Sequence, residues 1–509
     1  MQLQMLLSAG AIAVIVAWGL IAPASLGAVF DTALAAITKN FGWFYLWIVL
    51  ALVLMSALLA FSRYGNLKLG TDDEEPEFST TAWFAMLFAA GMGIGLVFWG
   101  VAEPMSHYGA PPPGITPGTP EAANAAMRYS FFHWGLHPWA IYAVVALAIG
   151  YFQFRRGGPA LVSTATQALP WRPVQRMSLL FNVLAVIATA FGVAASLGMG
   201  ALQINSGLAR VFGLPVGTAS QLGIIAITTA LFLTSAVTGV ERGIKWLSTF
   251  NLVVAALLAL AVLLLGPTVA ILDTLTTTLG NYVSEFVRMS LRTTPFRDSG
   301  WVGGWTVFYW AWWIAWSPFV GLFIARVSRG RTIREFIVGT VLAPTAAAFV
   351  WFSVFGGTAL HLDIWQAAPI AEAVEADVST ALFAMFDQLP LGTVLSLVAT
   401  VLVLVFFVTS GDSATLVLGM MSTGGHPNPP ARVKVVWGLL VAGIAAALLM
   451  AGGIKAVQTA TIVFALPFTL VILLMALALW RAVREDWHAG QAEERRLRRR
   501  LREIAERER

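Results

Sequence analysis

The stretch Phe88-Ala-Ala-Gly-Met-Gly-Ile-Gly-Leu-Val-Phe-Trp99 places three glycines in the middle of a long apolar segment. Each glycine in a helix interior costs up to about 1 kcal/mol relative to alanine. One or two of them would suit close packing between helices, which uses small residues four apart. Gly91, Gly93 and Gly95 cannot all lie on one packing face, so the pattern predicts an unwound segment. Unwound backbone at membrane depth is tolerated only where it lines a cavity or is buried in protein, and we therefore expect a ligand site here.

The composition around this stretch is that of a polytopic membrane protein. Of the 509 residues, 58% are hydrophobic and only 11% are charged, whereas a soluble domain carries about 25% charged residues. A helix needs roughly 20 mostly apolar residues to cross a bilayer. Twelve stretches meet this requirement, at approximately 5–25, 42–62, 82–103, 130–152, 178–209, 218–239, 247–271, 303–325, 335–358, 391–420, 433–451 and 457–480.

Several classes of protein are disfavoured by the same composition. The chain has no cysteine, which removes disulfide frameworks and thiolate metal sites. The net charge of +5 is small and concentrated at one end, so nucleic acid is not an expected partner. Only His133 and His137 of the six histidines lie in predicted spans, and none has a metal-ligand spacing. We therefore expect neither an enzyme nor a bound cofactor, and the many aromatic residues argue against the continuous polar pore of a channel.

Basic residues set the predicted orientation of the spans. They follow the even-numbered stretches, whereas the loops on the other side contain fewer of them. Because cytoplasmic loops carry an excess of Lys and Arg, both termini are predicted to be cytoplasmic. The exception is the segment at about 272–298, which has three arginines and apolar residues at helical spacing. We interpret it as an amphipathic helix on the outer surface.

The eighth stretch is also interrupted, by Pro318 in Trp310-Ala-Trp-Trp-Ile-Ala-Trp-Ser-Pro-Phe319. Proline removes a backbone donor and is expected to kink the helix. Interrupted spans five apart indicate a transporter built from an inverted repeat with a site near the midplane. The predicted fold is therefore all-α, with twelve transmembrane helices forming two five-helix units after two N-terminal helices. The predicted regions are 1–75 (helices 1–2 and a cytoplasmic loop), 76–271 (first repeat), 272–300 (outer amphipathic helix), 301–482 (second repeat) and 483–509 (basic cytoplasmic tail).

Tryptophans are concentrated where lipid anchoring does not explain them. Anchoring residues favour the membrane interface, but Trp310, Trp312, Trp313 and Trp316 lie within two turns beside a proline. A desolvated aromatic cage attracts quaternary ammonium through cation–π interactions worth about 2 kcal/mol or more. The fourth stretch adds Trp134, Trp139 and Tyr142. In a continuous helix Trp139 and Tyr142 would share one face, with Trp134 about 140° away from Trp139. The pattern favours a wall for such a cation, and core packing is the alternative.

Two adjacent hydroxyls lie inside the tenth stretch, in Phe406-Phe-Val-Thr-Ser-Gly-Asp412. Most such residues bond back to their own helix. The functional interpretation pairs Thr409 and Ser410 with carbonyl groups freed at Gly91–Gly95, forming an all-oxygen site for a hard cation such as sodium. Asp412 is a candidate functional residue because it is acidic within a span, and a buried ion pair is the alternative.

Three motifs together resemble the betaine/choline/carnitine transporter family. They are Gly91-Met-Gly-Ile-Gly-Leu-Val-Phe-Trp-Gly-Val-Ala-Glu-Pro104, His133-Trp-Gly-Leu-His-Pro-Trp139, and the run from Trp310 to the Arg-Gly-Arg-Thr-Ile-Arg-Glu residues at 329–335. The resemblance covers nearly the whole chain and is closest to sodium-coupled glycine betaine transporters. It implies a leucine-transporter-type inverted repeat, alternating access, and a homotrimer in a bacterial cytoplasmic (inner) membrane.

The resemblance also implies roles for individual positions. The substrate cage matches Trp134, Trp139, Tyr142 and Trp313, with neighbouring contacts at Trp312 and Trp316. The backbone donors around Gly91, Gly93 and Gly95 are expected to face the carboxylate of the substrate. Pathway and gate residues match Phe98, Phe319 and Phe323. The main sodium site matches the carbonyls of Ala89, Met92 and Phe406 and the hydroxyls of Thr409 and Ser410. A second sodium site retains only Thr189, because Val193 offers no oxygen.

The expected substrate follows from one position of the resemblance. Choline-carrying, proton-coupled members often have aspartate where this chain has Gly95, so glycine betaine is the expected substrate. Sodium symport is expected because every ligand type of the family's main sodium site is retained. The alternative is a choline, carnitine or ectoine transporter that is proton-coupled or works by exchange.

The C-terminal tail contains eight arginines in its last 15 residues and has the spacing of a helix. It is either a solvated positive-inside anchor or a sensor of anionic lipid or cytoplasmic salt, because such contacts are strongly screened by ions.

Overall fold

A computed structural model describes residues 2–91, 93–238, 241–296 and 300–507. Within these ranges the protein is helical and has no β-strand beyond a single bridge between Lys68 and Thr332. The helices in chain order are α1 (Gln2–Ile21), α2 (Pro23–Phe61), α3 (Thr80–Gly91), α4 (Ile94–Gly109), α5 (Pro120–Trp134), α6 (Leu136–Gly150), α7 (Val162–Gln167), α8 (Arg172–Arg176), α9 (Ser178–Phe212), α10 (Thr218–Thr238), α11 (Glu241–Leu265), α12 (Thr268–Ser290), α13 (Phe308–Val327), α14 (Ile333–Gln366), α15 (Ile370–Ala376), α16 (Ala381–Phe386), α17 (Gly392–Ser422) and α18 (Ala431–Arg507).

Ten helices in the described ranges are long and apolar enough to cross a membrane. The all-helical membrane architecture is thereby confirmed, while the count of twelve spans stays a prediction. Two features account for the difference between the ten helices and the twelve predicted spans. The predicted third span consists of the shorter helices α3 and α4, and α18 contains non-helical backbone at Gly452 and Gly453, where the sequence separates spans 11 and 12.

The centre of the bundle is built around α6, which is buried without interruption from His137 to Gly150. A helix that is apolar on all sides is stable only inside a larger structure. The helices α13, α14 and α2 pack against α6, and α9 packs against α13, α17 and α18. On the outside of the bundle, large apolar side chains such as Trp47 and Leu54 remain exposed, as expected for a surface that contacts lipid tails.

One end of the bundle collects the loops that follow α2 and α13. The bridge between Lys68 and Thr332 joins them, and Arg326 Nη1 donates to Glu77 Oε2 over 2.6 Å. This hydrogen bond lowers the pKa of the Glu77 carboxyl below its usual value. The loops predicted from their basic residues to share one side of the membrane therefore do lie together.

The same end holds the beginning of the tail through Asp486. Its carboxylate accepts a hydrogen bond of 2.6 Å from the hydroxyl of Tyr151 and lies 2.8 Å from Arg156 Nη2 and 3.4 Å from Arg155 Nε. The helix predicted for the tail is present and continues to Arg507. The tail is thus anchored at its first turns and extends from there as an exposed basic helix.

We expect Asp486→Ala to lower the free energy of unfolding by about 1–2 kcal/mol, because it removes the acceptor shared by a tyrosine and two arginines. Thermal unfolding of the purified protein in detergent measures this change. The matched control is Glu494→Ala, farther along the same helix, where the exposed pair with Arg498 should contribute less than about 0.5 kcal/mol. Equal effects of the two substitutions would contradict the anchoring role.

The other end of the bundle contains the segment predicted as an outer amphipathic helix. The helix α12 begins four residues earlier than that segment and ends at Ser290. Arg297, one of the three arginines of the predicted segment, lies outside the described ranges. Beyond the helix, Arg292 Nη2 donates to Pro113 O over 3.0 Å, and Trp301 Nε1 donates to Ala110 O over 3.0 Å. These bonds hold the Pro-rich loop after α4 against this segment.

Candidate functional site

A cavity of about 760 Å³ lies inside the bundle where helices are interrupted. The helix α3 ends at Gly91, Gly93 has extended backbone (φ −153°, ψ −167°), and α4 begins at Ile94. The interruption is therefore present where the glycines predict it, but it is shorter than expected. Gly95 already lies in the first turn of α4, and Met92 falls outside the described residues.

Gly95 allows two indole rings to approach the backbone. A Cβ at this position would lie 2.5 Å from Cη2 of Trp312 and 3.3 Å from Cη2 of Trp134, closer than side chains tolerate. A Cβ at Gly93 would meet no described atom within 4 Å. The need for glycine at position 95 thus comes from packing against aromatic rings rather than from unwinding.

A second interruption, at Gly135, brings the aromatic residues of the fourth stretch together. The sequence predicts one continuous span over 130–152, with Trp134 turned away from Trp139 and Tyr142. Instead, α5 ends at Trp134, Gly135 has non-helical backbone (φ −90°, ψ −135°), and α6 begins one residue later. All three aromatic side chains consequently line the same cavity.

Trp313 lies at the centre of the aromatic wall. Its ring centroid is 4.8 Å from that of Trp134 and 5.9 Å from that of Tyr142, and both neighbours are nearly perpendicular to it. Tyr142 in turn lies 5.5 Å from Trp139. On the other side, Trp312 stacks on Trp313 at 4.9 Å. The four residues predicted as the cage therefore form one connected cluster at the cavity surface.

The other aromatic residues of α13 fall into two groups, those that line the cavity and those buried away from it. Trp316, Phe319 and Phe323 line the cavity, and the helix continues through Pro318. Trp310, by contrast, is fully buried and stacks on His137.

The predicted gate residue Phe98 is also buried, and it packs against Trp99. Among the described residues, the cavity wall includes neither Phe98 nor Trp310.

The opposite part of the cavity is polar. Phe406, Thr409 and Ser410 of α17 line it. The hydroxyl of Thr409 donates to Val405 O over 3.0 Å, which is the back-bonding arrangement that the sequence left open. Thr409 nevertheless remains part of the cavity wall. Two further cation ligands were predicted. Ala89 lies in α3 near its end, and Met92 lies outside the described ranges.

Sequence reasoning did not identify the polar residues that α11 adds to this part of the cavity. Asn251 is buried and lines the cavity, and its Nδ2 lies 3.4 Å from Thr409 Oγ1 as a hydrogen-bond donor. Within the described structure its Oδ1 has no partner. Ser248 lines the same region one turn earlier. A polar residue in the middle of an apolar span was the available signal.

Two other predicted candidates lie away from the described lining. Thr189 is buried with its hydroxyl 4.0 Å from Met421 Sδ. Asp412 is buried, with Ser235 and Lys434 near its carboxylate, and among the described residues it forms no ion pair. Neither contributes to the cavity wall as far as the described residues define it.

A buried cluster around Glu103 lies behind the aromatic wall. Its Oε2 accepts hydrogen bonds from Nε1 of Trp134, at 2.8 Å, and from the hydroxyl of Tyr309. Its Oε1 is hydrogen-bonded to Nδ1 of His133 at 2.6 Å and to Nε2 of His107 at 3.2 Å. The donor atoms of this glutamate and the two histidines lie within 4.8 Å of one another, close enough for a metal ion.

These donor atoms already bond to each other, and His107 Nδ1 is the one ring nitrogen of the two histidines without a hydrogen-bond partner among the described residues. The sequence did not predict this cluster, because 30 positions separate Glu103 from His133 and no metal-ligand spacing marks them.

An all-helical membrane bundle that encloses a solute-sized cavity between interrupted helices is the architecture of a membrane transporter. The chain matches the family described as BCCT, betaine/carnitine/choline family transporter, over residues 4–488. It therefore belongs to the betaine/carnitine/choline transporter family, whose members are transporters and not enzymes and carry small quaternary ammonium compounds.

Several curated relatives cover nearly the whole chain. The glycine betaine transporter OpuD of Bacillus subtilis is 49% identical over 474 residues, covering 92% of each chain. The ectoine/hydroxyectoine transporter of Virgibacillus pantothenticus is 46% identical and covers 92% of this chain and 93% of the relative. The probable glycine betaine transporter of Desulfitobacterium hafniense is 42% identical, covering 92% of this chain and 95% of the relative.

Proposed function

We propose that this protein imports glycine betaine by sodium symport. The observation that carries the proposal is the position of Trp313, with the rings of Trp134 and Tyr142 nearly perpendicular to it at the cavity surface. Trimethylammonium has no N–H group, so aromatic faces suit it better than hydrogen-bonding groups do. Relatives named as glycine betaine transporters support the same substrate.

Gly95 supports betaine over proton-coupled choline transport. An aspartate at this position would meet the ring of Trp312 even at its Cβ, so the two residues are sterically incompatible in this arrangement. Ectoine is the second candidate, because one relative of 46% identity is named as an ectoine and hydroxyectoine transporter.

Sodium coupling is supported by the oxygen atoms at the polar part of the cavity. Thr409, Ser410 and Asn251 line this part of the cavity, and the side-chain amide of Asn251 lies beside Thr409. Hard cations prefer oxygen ligands. Because this group and the aromatic wall line the same cavity, one cavity would hold both the solute and its coupling ion.

We also propose twelve spans, two inverted five-helix units and cytoplasmic termini, with the cavity open to the cytoplasm. Phe78, Phe323 and Val417 line the cavity near the helix ends that carry the basic loops. Toward the other end of the bundle, Trp99 packs edge-on against Tyr309, and both rings are fully buried. This arrangement is that of an inward-facing state in alternating access.

The direct test is uptake of radiolabelled glycine betaine into proteoliposomes under an inward sodium gradient. We expect accumulation that collapses when the sodium gradient is dissipated and that excess choline does not inhibit. Ectoine is assayed in parallel. Uptake that follows a proton gradient instead would exclude sodium symport, and accumulation of ectoine alone would exclude betaine as the substrate.

We expect Thr409→Ala to raise the sodium concentration for half-maximal uptake by about tenfold, because it removes one oxygen ligand worth roughly 1.4 kcal/mol. The affinity for betaine at saturating sodium should change little. The matched control is Thr415→Ala, which removes a buried hydroxyl that donates to Asp412 O over 2.8 Å on the same helix. An unchanged sodium dependence in Thr409→Ala would exclude this hydroxyl as a ligand.

A further inference from the structure

We propose that Glu103 is a positioning residue for substrate binding, which acts by fixing the indole of Trp134 in the cavity wall. The proposal rests on the proposed transport of a quaternary ammonium solute. Glu103 is fully buried and does not line the described cavity. Its carboxylate would therefore act on the solute only through side chains that it holds.

The first contact runs through the indole nitrogen of Trp134, which donates to Glu103 Oε2 over 2.8 Å. This bond ties the ring to α4, although the tryptophan itself is the last residue of α5. Hydrogen bonds to charged groups are stronger than those between neutral groups. The orientation of the ring is thus fixed by a group that the solute never touches.

The second contact runs through His133. Its Nδ1 is hydrogen-bonded to Glu103 Oε1 at 2.6 Å, and its backbone carbonyl accepts a hydrogen bond of 2.9 Å from Nε1 of Trp313. The two rings fixed in this way lie 4.8 Å apart, at the centre of the aromatic wall. Trp313 is thus held by the backbone of α5, whereas the indole of Trp134 is held by the Glu103 carboxylate itself.

Trp312 shows the contrast within the same wall. It also lines the cavity, but its Nε1 has no hydrogen-bond partner among the described residues. Its position is set by stacking on Phe308 and Trp313. A change at Glu103 should consequently act on Trp134 directly and on Trp312 only through its contact with the ring of Trp134, at 6.0 Å.

The test is a double-mutant cycle on betaine affinity. Glu103→Gln keeps the shape of the side chain but removes the charge and turns one acceptor into a donor. We expect it to raise the KM for betaine by about tenfold with little change in maximal rate. In a Trp134→Phe background, which lacks the indole N–H, the same substitution should have almost no further effect, because residues in direct contact are not additive.

The control cycle pairs Glu103→Gln with Trp316→Phe, because Trp316 lines the same cavity but its Nε1 donates to Gly192 O over 2.7 Å, so the two effects should be independent. A merely structural role would lower thermal stability and maximal rate equally in all backgrounds, and that result would overturn the proposal. Full additivity with Trp134→Phe would overturn it as well. If the wild-type protein transports no betaine, the proposed function itself fails, and this outcome is distinguished because the wild type is assayed first.

Thr306→Val provides a second variant if Glu103→Gln does not fold. Its hydroxyl is hydrogen-bonded to Nε2 of His133 at 3.0 Å, on the side of the cluster away from Glu103. We expect a smaller rise in KM, about threefold, that also disappears in the Trp134→Phe background. A rise that persists there would show that the cluster does not act through this indole.

Discussion

Replacing Trp313 with alanine is expected to weaken betaine binding roughly 30-fold or more. A desolvated cation–π contact contributes about 2 kcal/mol or more, and each 1.4 kcal/mol corresponds to a factor of ten. Trp313 also separates the rings of Trp134 and Tyr142, so its loss should loosen two further contacts. Equilibrium binding of labelled betaine to the purified protein measures the change without requiring transport.

A neutral analogue of betaine tests whether Trp313 binds the solute through its positive charge. The analogue with a tert-butyl group in place of trimethylammonium has the same shape but no cation, so the wild type should prefer betaine strongly. Trp313→Ala should lose most of this preference. The control variant is Trp47→Ala, an exposed residue on the outside of the bundle, which should bind both compounds as the wild type does. Unchanged discrimination in Trp313→Ala would exclude an electrostatic role for the ring.

The fold was predictable from the sequence because the length of an apolar run is fixed by bilayer thickness. The paired glycines at 452–453 lie between two predicted spans, and the structure has non-helical backbone there. The interruption at Gly91–Gly95 was predictable from helix propensity. Its extent was not, because the requirement for glycine at position 95 arises from Trp312, more than two hundred residues away.

The sequence indicated that aromatic residues form the cavity wall, but not which of them face the cavity. Trp310 and Trp313 are both part of one dense motif, and only the packing shows that the first stacks on His137 while the second faces the cavity. The helical geometry of a continuous span turned Trp134 away from its partners. The break at Gly135 places Trp134 on the same cavity as Trp139 and Tyr142. One residue with non-helical backbone changes the orientation of α5, and hence of its side chains, relative to α6.

Buried polar partners were the least predictable part of the site. Glu103 contacts His133 and Tyr309 across 30 and 206 positions, and Asn251 contacts Thr409 across 158. Such distances leave no periodic pattern in one sequence. The rule that a polar residue inside a span has a function identifies candidates, but it does not identify what each of them touches.

Gly95→Ala is expected to reduce betaine uptake about twentyfold, because overpacking a tight site typically costs about 1–3 kcal/mol. The added methyl carbon would lie 2.5 Å from Cη2 of Trp312. That ring is 2% exposed and stacks on Phe308 and Trp313. It therefore cannot move without displacing the central ring of the wall.

The neighbouring glycine separates this steric effect from a requirement for flexible backbone. At Gly93 the same substitution would meet no described atom within 4 Å, and its extended backbone suits alanine. Gly93→Ala should therefore keep most of the uptake. If the two variants lose activity equally, the glycines are needed for helix motion rather than for the approach of Trp312. Restoration of uptake in Gly95→Ala by Trp312→Phe, which shortens the contacting ring, would show directly that the clash with this indole causes the loss.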